Sequence, residues 1–269
     1  MGHYIINVLS VSLYLVTAIL LATRLAKTSK GQIQAKTSIL ILGLGAVILH
    51  SSLLYNQIIG PDGLNLGIFN ALSLISGLIA LLLLIASFSK PVENLGIVLL
   101  PLAAINIMLE ISFPSSHIIE VSGPWQLQAH ILISIVAYSL LTIAMVQAIL
   151  LAIQDRHLRN RQPGGFIQAL PPLKTMESLL FQMIGVGFVL LTIGLIIGAL
   201  FIDDIFARHL AHKTILSIIA WVLFAILLWG RIKFGWRGRT AIRWTLGGFF
   251  TLMLAYFGSK FVLELILGR

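Results

Sequence analysis

Seven histidines stand in a chain with no cysteine, and two of them, His50 and His130, fall inside long apolar runs almost free of ionisable groups. An imidazole in hydrocarbon costs free energy unless it has a partner, so such a residue within a membrane span marks a candidate site. Two neutral imidazoles facing each other across a helix bundle could ligate a haem iron axially, with the porphyrin between apolar helices and its propionates at the wet edge. Lys213, Arg208 or Lys260 would then pair with the propionates, and Trp221, near mid-span, offers a flat ring to wall the pocket. The plainer alternative stays open: each imidazole bonds a neighbouring backbone carbonyl and does nothing else. Zinc or copper fits less well, because two histidines leave the shell short unless His209 and His212 join. Those two, beside Asp204 and Arg208, equally suit a solvated interfacial helix.

The elements that must hold these residues follow from composition. Hydrophobic residues make up 58% of the chain, charged ones 10%, and the mean hydropathy is +1.02. That excludes a soluble globular domain and predicts an all-α, polytopic membrane helix bundle. Apolar stretches long enough to span a bilayer run roughly from Tyr4 to Ala22, Thr37 to Tyr55, Gly67 to Phe88, Leu95 to Ile111, Gln126 to Ile153, Met176 to Phe201, Lys213 to Gly230 and Ile242 to Leu263, about eight transmembrane helices. The first lacks a basic leader and a small-residue cleavage site, and Arg24 and Lys27 follow it, so it reads as a retained helix. Residues 1–269 read as a single integral membrane domain with a flexible hinge, Gln154 to Thr175, between two four-helix halves.

Charge orients the spans. Arg24, Lys27, Lys30 and Lys36, then Lys90, then Arg156, Arg159, Arg161 and Lys174, then Arg231, Lys233, Arg237, Arg239 and Arg243 fall in the odd connections. The positive-inside rule makes those loops cytoplasmic and puts both termini outside. His50 then lies roughly 9 Å, and His130 roughly 7 to 8 Å, below the outer boundary at 1.5 Å of rise per residue. Glu110 and Lys260 approach the same boundary, and His3, His117, His209 and His212 fall on that side too.

Other features read as membrane architecture. Gly194 and Gly198 form a small-xxx-small pair for close helix packing, and Pro101 predicts a kink in the fourth span. Trp229, Trp236 and Trp244 make an interfacial aromatic belt around the seventh connection. The net charge of +9 sits in short loops, which excludes a nucleic-acid partner and leaves membrane lipid. Phosphate loops, serine-nucleophile motifs and HExxH zinc motifs are absent.

The run from Trp125 through Ala129 and His130 to Ser134, Ala137, Tyr138, Ser139 and Leu140 resembles the helix bearing an external histidine in cytochrome c assembly membrane proteins of the CcsA, CcmC and HemX type. Lys213, Thr214, Ala220 and Trp221 through Arg231 are similar to the helix that follows their tryptophan-rich motif. Leu228 to Arg231, Gly235 to Arg239, and Ala255, Tyr256, Phe257, Gly258, Ser259 and Lys260 resemble the YpjD-type inner-membrane branch, with a CcsA-like core over residues 66–260.

The resemblance implies haem handling near the outer face of the bacterial inner membrane, related to cytochrome c biogenesis. His130 matches the family's first external histidine, and His50 occupies a membrane-ligand position without matching a motif. The tryptophan-rich segment is missing between Phe201 and His212, Trp229 replaces a membrane histidine, and no histidine follows His212. The expectation is therefore non-enzymatic haem binding, with His50 and His130 as candidate iron ligands and Trp221, Lys213 and Lys260 as further contacts, and with other membrane proteins as possible partners. A scaffold or regulatory subunit that keeps the fold without haem is the first alternative. A small-solute or ion transporter is the second, although polar groups do not continue from His50 and Glu110 towards the cytoplasm.

Overall fold

A computed structural model describes residues 2–28, 36–60, 63–113, 118–119, 125–160, 165–201 and 211–258. Among these residues, eight α-helices follow in chain order: α1 (Gly2–Thr28), α2 (Lys36–Ile58), α3 (Ile68–Ser89), α4 (Gly96–Ser112), α5 (Trp125–Arg159), α6 (Leu173–Phe201), α7 (Ala211–Phe234) and α8 (Gly238–Met253). Each overlaps one expected span, and among the described residues α1 to α7 are long and apolar enough to cross a membrane. The eighth has 16 residues and runs on into a π-helical turn, Leu254–Gly258. Backbone polar groups have no water to bond in hydrocarbon, so helices that satisfy them internally are the form this sequence must take.

The chain divides into two compact units, each built from four helices. The first comprises residues 1–121 and 160–171, with α1 to α4. Small residues line its centre: Ala46, Ala80, Ala103 and Ala104 are at most 1% exposed, beside Tyr14, Leu40, Leu84 and Leu100. Without water to squeeze out, close backbone approach and dispersion must hold such helices together, and small side chains permit it. Pro101 sits inside α4 without ending it. At one end of α1, α2 and α4, Glu93 bridges Arg24 at 3.0 Å and Lys36 at 3.1 Å.

At the other end, the connections after α2 and α4 form a small antiparallel sheet that hydropathy did not announce. Its order is β1 (Ile59–Gly60), β2 (Gly63–Asn65), β3 (Ile118–Ile119), with Ile59 opposite Leu64 and Leu64 opposite Ile119. Strands of two or three residues are too short to show the period-2 alternation by which strands are read.

The second unit comprises residues 122–159 and 172–269, with α5 to α8. At 35 residues, α5 extends roughly 52 Å, well beyond a hydrocarbon core of about 30 Å. Its far end carries Asp155, which pairs with Arg159 at 2.9 Å and Arg239 at 3.6 Å. Helix α6 packs along α5 through a glycine seam. A Cβ on Gly187 would lie 2.8 Å from Leu141 Cδ2, one on Gly194 3.2 Å from Ser134 Oγ, and one on Gly198 3.0 Å from His130 Cε1.

Candidate functional site

His130 lies in the second turn of α5, half-buried, and its place follows from the seam. Residues 130, 134, 137 and 141 recur at helical spacing on one face of α5, opposite 198, 194 and 187 on α6. The expected small-xxx-small pair is thus more than generic packing, because the two missing side chains leave room for an imidazole and a serine. His130 Nδ1 lies 2.8 Å from the Gly194 carbonyl oxygen. A carbonyl only accepts, so Nδ1 carries the proton and the lone pair of the neutral ring is at Nε2. A histidine whose other nitrogen is tied to a carbonyl is oriented and tautomerically fixed in the way metal ligands are.

His50 is built differently. It is fully buried in the first unit, and both ring nitrogens have partners: the Tyr14 hydroxyl lies 3.1 Å from Nδ1 and Ser73 Oγ lies 2.9 Å from Nε2. Tyr14 approaches edge-on, with ring centroids 5.8 Å apart. Gly77 makes room on α3, where a Cβ would stand 3.1 Å from the imidazole. Tyr14 has no other partner among the described residues, so its hydrogen goes to Nδ1, Nε2 carries the ring proton, and that proton goes to Ser73. In this register the ring has no lone pair to offer iron. Ser73 is also the polar neighbour of the Glu110 side chain, which is 3% exposed. The four residues come one each from α1, α2, α3 and α4. Sequence reasoning placed His50 and Glu110 towards the same outer boundary but missed Tyr14 and Ser73, whose types are ordinary in apolar helices.

Trp221 lies on α7. Its indole N–H donates to Thr192 Oγ1 at 2.8 Å, and its ring stacks on Phe188 at 5.6 Å. Thr192 and Gly194 are two residues apart on α6, roughly 200° around the helix, so Trp221 and His130 pack on opposite faces of α6. Lys213, in the first turn of α7, is half-buried and already engaged with another group. Lys260, Arg208 and His209 lie outside the described residues. His50 belongs to the first unit; His130, Trp221 and Lys213 belong to the second.

Residues 38–267 match the family model described as cytochrome C assembly protein. Among curated relatives, the inner membrane protein YpjD of Escherichia coli K12 is 35% identical over 227 residues, covering 82% of this chain and 84% of the relative. An uncharacterised 28.8 kDa protein of Azospirillum brasilense is 34% identical over 148 residues, 54% of each chain. The cytochrome c biogenesis protein CcsA of a Picosynechococcus strain is 33% identical over 110 residues, 40% of this chain and 32% of that one. No solved structure matches the chain.

Proposed function

The chain belongs to the cytochrome c assembly protein family, and from that premise we propose that this multi-pass inner-membrane protein binds haem non-covalently through His130, near the outer face of the membrane. The observation that carries this is the hydrogen bond from His130 Nδ1 to the Gly194 carbonyl, which fixes the lone pair at Nε2. Bound haem would supply an iron able to accept that nitrogen, which His130 would hold towards it. The glycine seam supports the assignment, since Gly194 and Gly198 leave space for the imidazole and hold its orientation.

The expected pairing of His50 with His130 has no support from the ring geometry at His50. Its two nitrogens are engaged by Tyr14 and Ser73, and ligation there would require breaking the Ser73 bond. In the proposed orientation both termini lie outside, and the basic connections lie in the cytoplasm. Covalent haem attachment to another protein is not part of the proposal, because the tryptophan-rich segment that would present haem is lacking between Phe201 and His212.

The test is spectroscopic. The protein is purified from haem-replete cells and its oxidised and dithionite-reduced spectra are recorded for wild type, His130→Ala and His50→Ala. We expect low-spin bands in the wild type that are lost in His130→Ala and kept in His50→Ala. Loss in both variants would restore the two-histidine site. A haem-free wild type after reconstitution with hemin would leave the scaffold alternative standing.

A further inference from the structure

The buried carboxyl of Glu110 has no place in the haem proposal and is chemically incomplete. Its side chain is 3% exposed, and Oε1 has no hydrogen-bond partner among the described residues. An unpaired carboxylate in an apolar interior is costly, and leaving a buried acceptor unsatisfied is costly in itself. A role confined to meeting the neighbouring Ser73 hydroxyl could be filled by a glutamine at lower cost.

The surrounding hydrogen bonds have a direction. Tyr14 donates to His50 Nδ1, His50 Nε2–H donates to Ser73 Oγ, and the Ser73 hydrogen stays free to turn towards the neighbouring Glu110 carboxyl. The donors on α1, α2 and α3 thus run towards α4, and Oε1 is left without a hydrogen. The opposite direction would leave the Tyr14 hydrogen without an acceptor. A group that sits against Oε1 must therefore bring positive charge or a hydrogen of its own.

We propose that Glu110 is a proton-exchanging site of the first unit, one proton binding at Oε1 and leaving from it, with Ser73, His50 and Tyr14 holding the carboxyl in register. The step balances simply: an O–H bond forms at Oε1 as one breaks in a hydronium ion, which becomes water, the carboxylate and hydronium charges cancel, and release reverses both. A metal ion suits the site less well, because it would need several more oxygen or nitrogen donors, and no three His, Asp or Glu side chains gather to hold one among the described residues. Access is short, since Glu110 precedes the end of α4 at Ser112 by two residues, roughly 3 Å of rise. Around Ser73 the titratable groups are His50 on α2 and, beyond it, Tyr14 on α1, while α3 carries none. Glu93, with Arg24 and Lys36, is at the opposite end of α4, and Asp62, His117 and Glu120 lie outside the described residues.

Infrared difference spectra of the full chain in lipid, recorded between acid and alkaline buffer in H2O and D2O, test this. A carboxylic C=O band that appears with protonation, shifts in D2O, vanishes in Glu110→Gln and moves in Ser73→Ala is the expected result. Glu110→Asp, which keeps the carboxyl, serves if Glu110→Gln does not elute as a monodisperse species; it should retain a band at a displaced frequency. Identical difference spectra for wild type and both Glu110 variants would overturn the proposal. So would a wild-type band that sodium, potassium or magnesium chloride abolishes at constant pH, since the occupant would then be the metal ion.

Discussion

Glu177 on α6 accepts a hydrogen bond from the backbone N–H of Gly238 at 2.8 Å, and this contact ties α6 to the corner between α7 and α8. Gly238 is the first residue of α8, so its N–H is one of the donors that a helix cannot satisfy internally, and a carboxylate there also complements the helix dipole. Arg231 joins the corner from α7, with Nη1 3.9 Å from the same oxygen, 3.2 Å from the Trp236 carbonyl, and its guanidinium 4.5 Å above the Phe181 ring. Gly235 and Gly238 have φ of 65° and 52°, the left-handed region that only glycine adopts freely.

Gly238→Ala should therefore destabilise the protein by about 1 to 2 kcal/mol, and Glu177→Ala by about 1 to 3 kcal/mol, because it orphans the Gly238 N–H and the Arg231 charge. Glu177→Gln keeps an acceptor and should fall between Glu177→Ala and wild type. Detergent-solubilised thermal unfolding followed by size-exclusion chromatography reads the order. Melting points for all three indistinguishable from wild type would remove the corner from the account of stability.

The same corner shows what the sequence made legible. Leu228 to Arg231 and Gly235 to Arg239 carried the family resemblance, and their residue types are those the turn requires: glycines for positive φ, an arginine to close on Glu177, a tryptophan packed against Gly230. Helix positions were legible because about 20 apolar residues in a row have one stable form in lipid. The sheet was not, being three strands of two or three residues. The chain around His50 was half legible: histidine and glutamate stand out against an apolar background, whereas Tyr14 and Ser73 do not, and no periodicity says which of many serines will face an imidazole. Trp221 was legible only as a flat ring near mid-span, since depth says nothing about which face of α6 it meets.

Gly198 tests the seat of His130 without altering the histidine. A Cβ there would lie 3.0 Å from Cε1, so alanine already forces a small shift and leucine must displace the ring. Gly198→Ala should weaken haem retention modestly, and Gly198→Leu should abolish the low-spin spectrum as completely as His130→Ala while the protein still elutes as folded. Full spectral intensity in Gly198→Leu would show that ligation does not depend on this orientation.

Tyr14→Phe and Ser73→Ala each remove one partner of His50 and leave a buried ring nitrogen unsatisfied. Each should cost about 1 to 3 kcal/mol, at the lower end given how modest hydrogen bonds between membrane helices prove to be. The double variant should cost less than the sum, because the imidazole can change tautomer or turn once both partners are gone. Unfolding in sodium dodecyl sulfate mixed micelles measures the cycle, and strict additivity would mean that the two bonds do not act through one ring.

Orientation is open to a direct check because the chain has no cysteine, so any single introduced thiol is unique. Asn56, before the sheet strand β1, is exposed, as are Lys90 after α3 and Lys233 near the end of α7. If the basic connections are cytoplasmic, a membrane-impermeant maleimide added to spheroplasts should label Asn56→Cys and leave Lys90→Cys and Lys233→Cys unlabelled until the membrane is permeabilised. The reverse pattern would put the Glu110 end of the first unit in the cytoplasm. The proton at Oε1 would then exchange with the cell interior, and His130 would have to be sought away from the outer face.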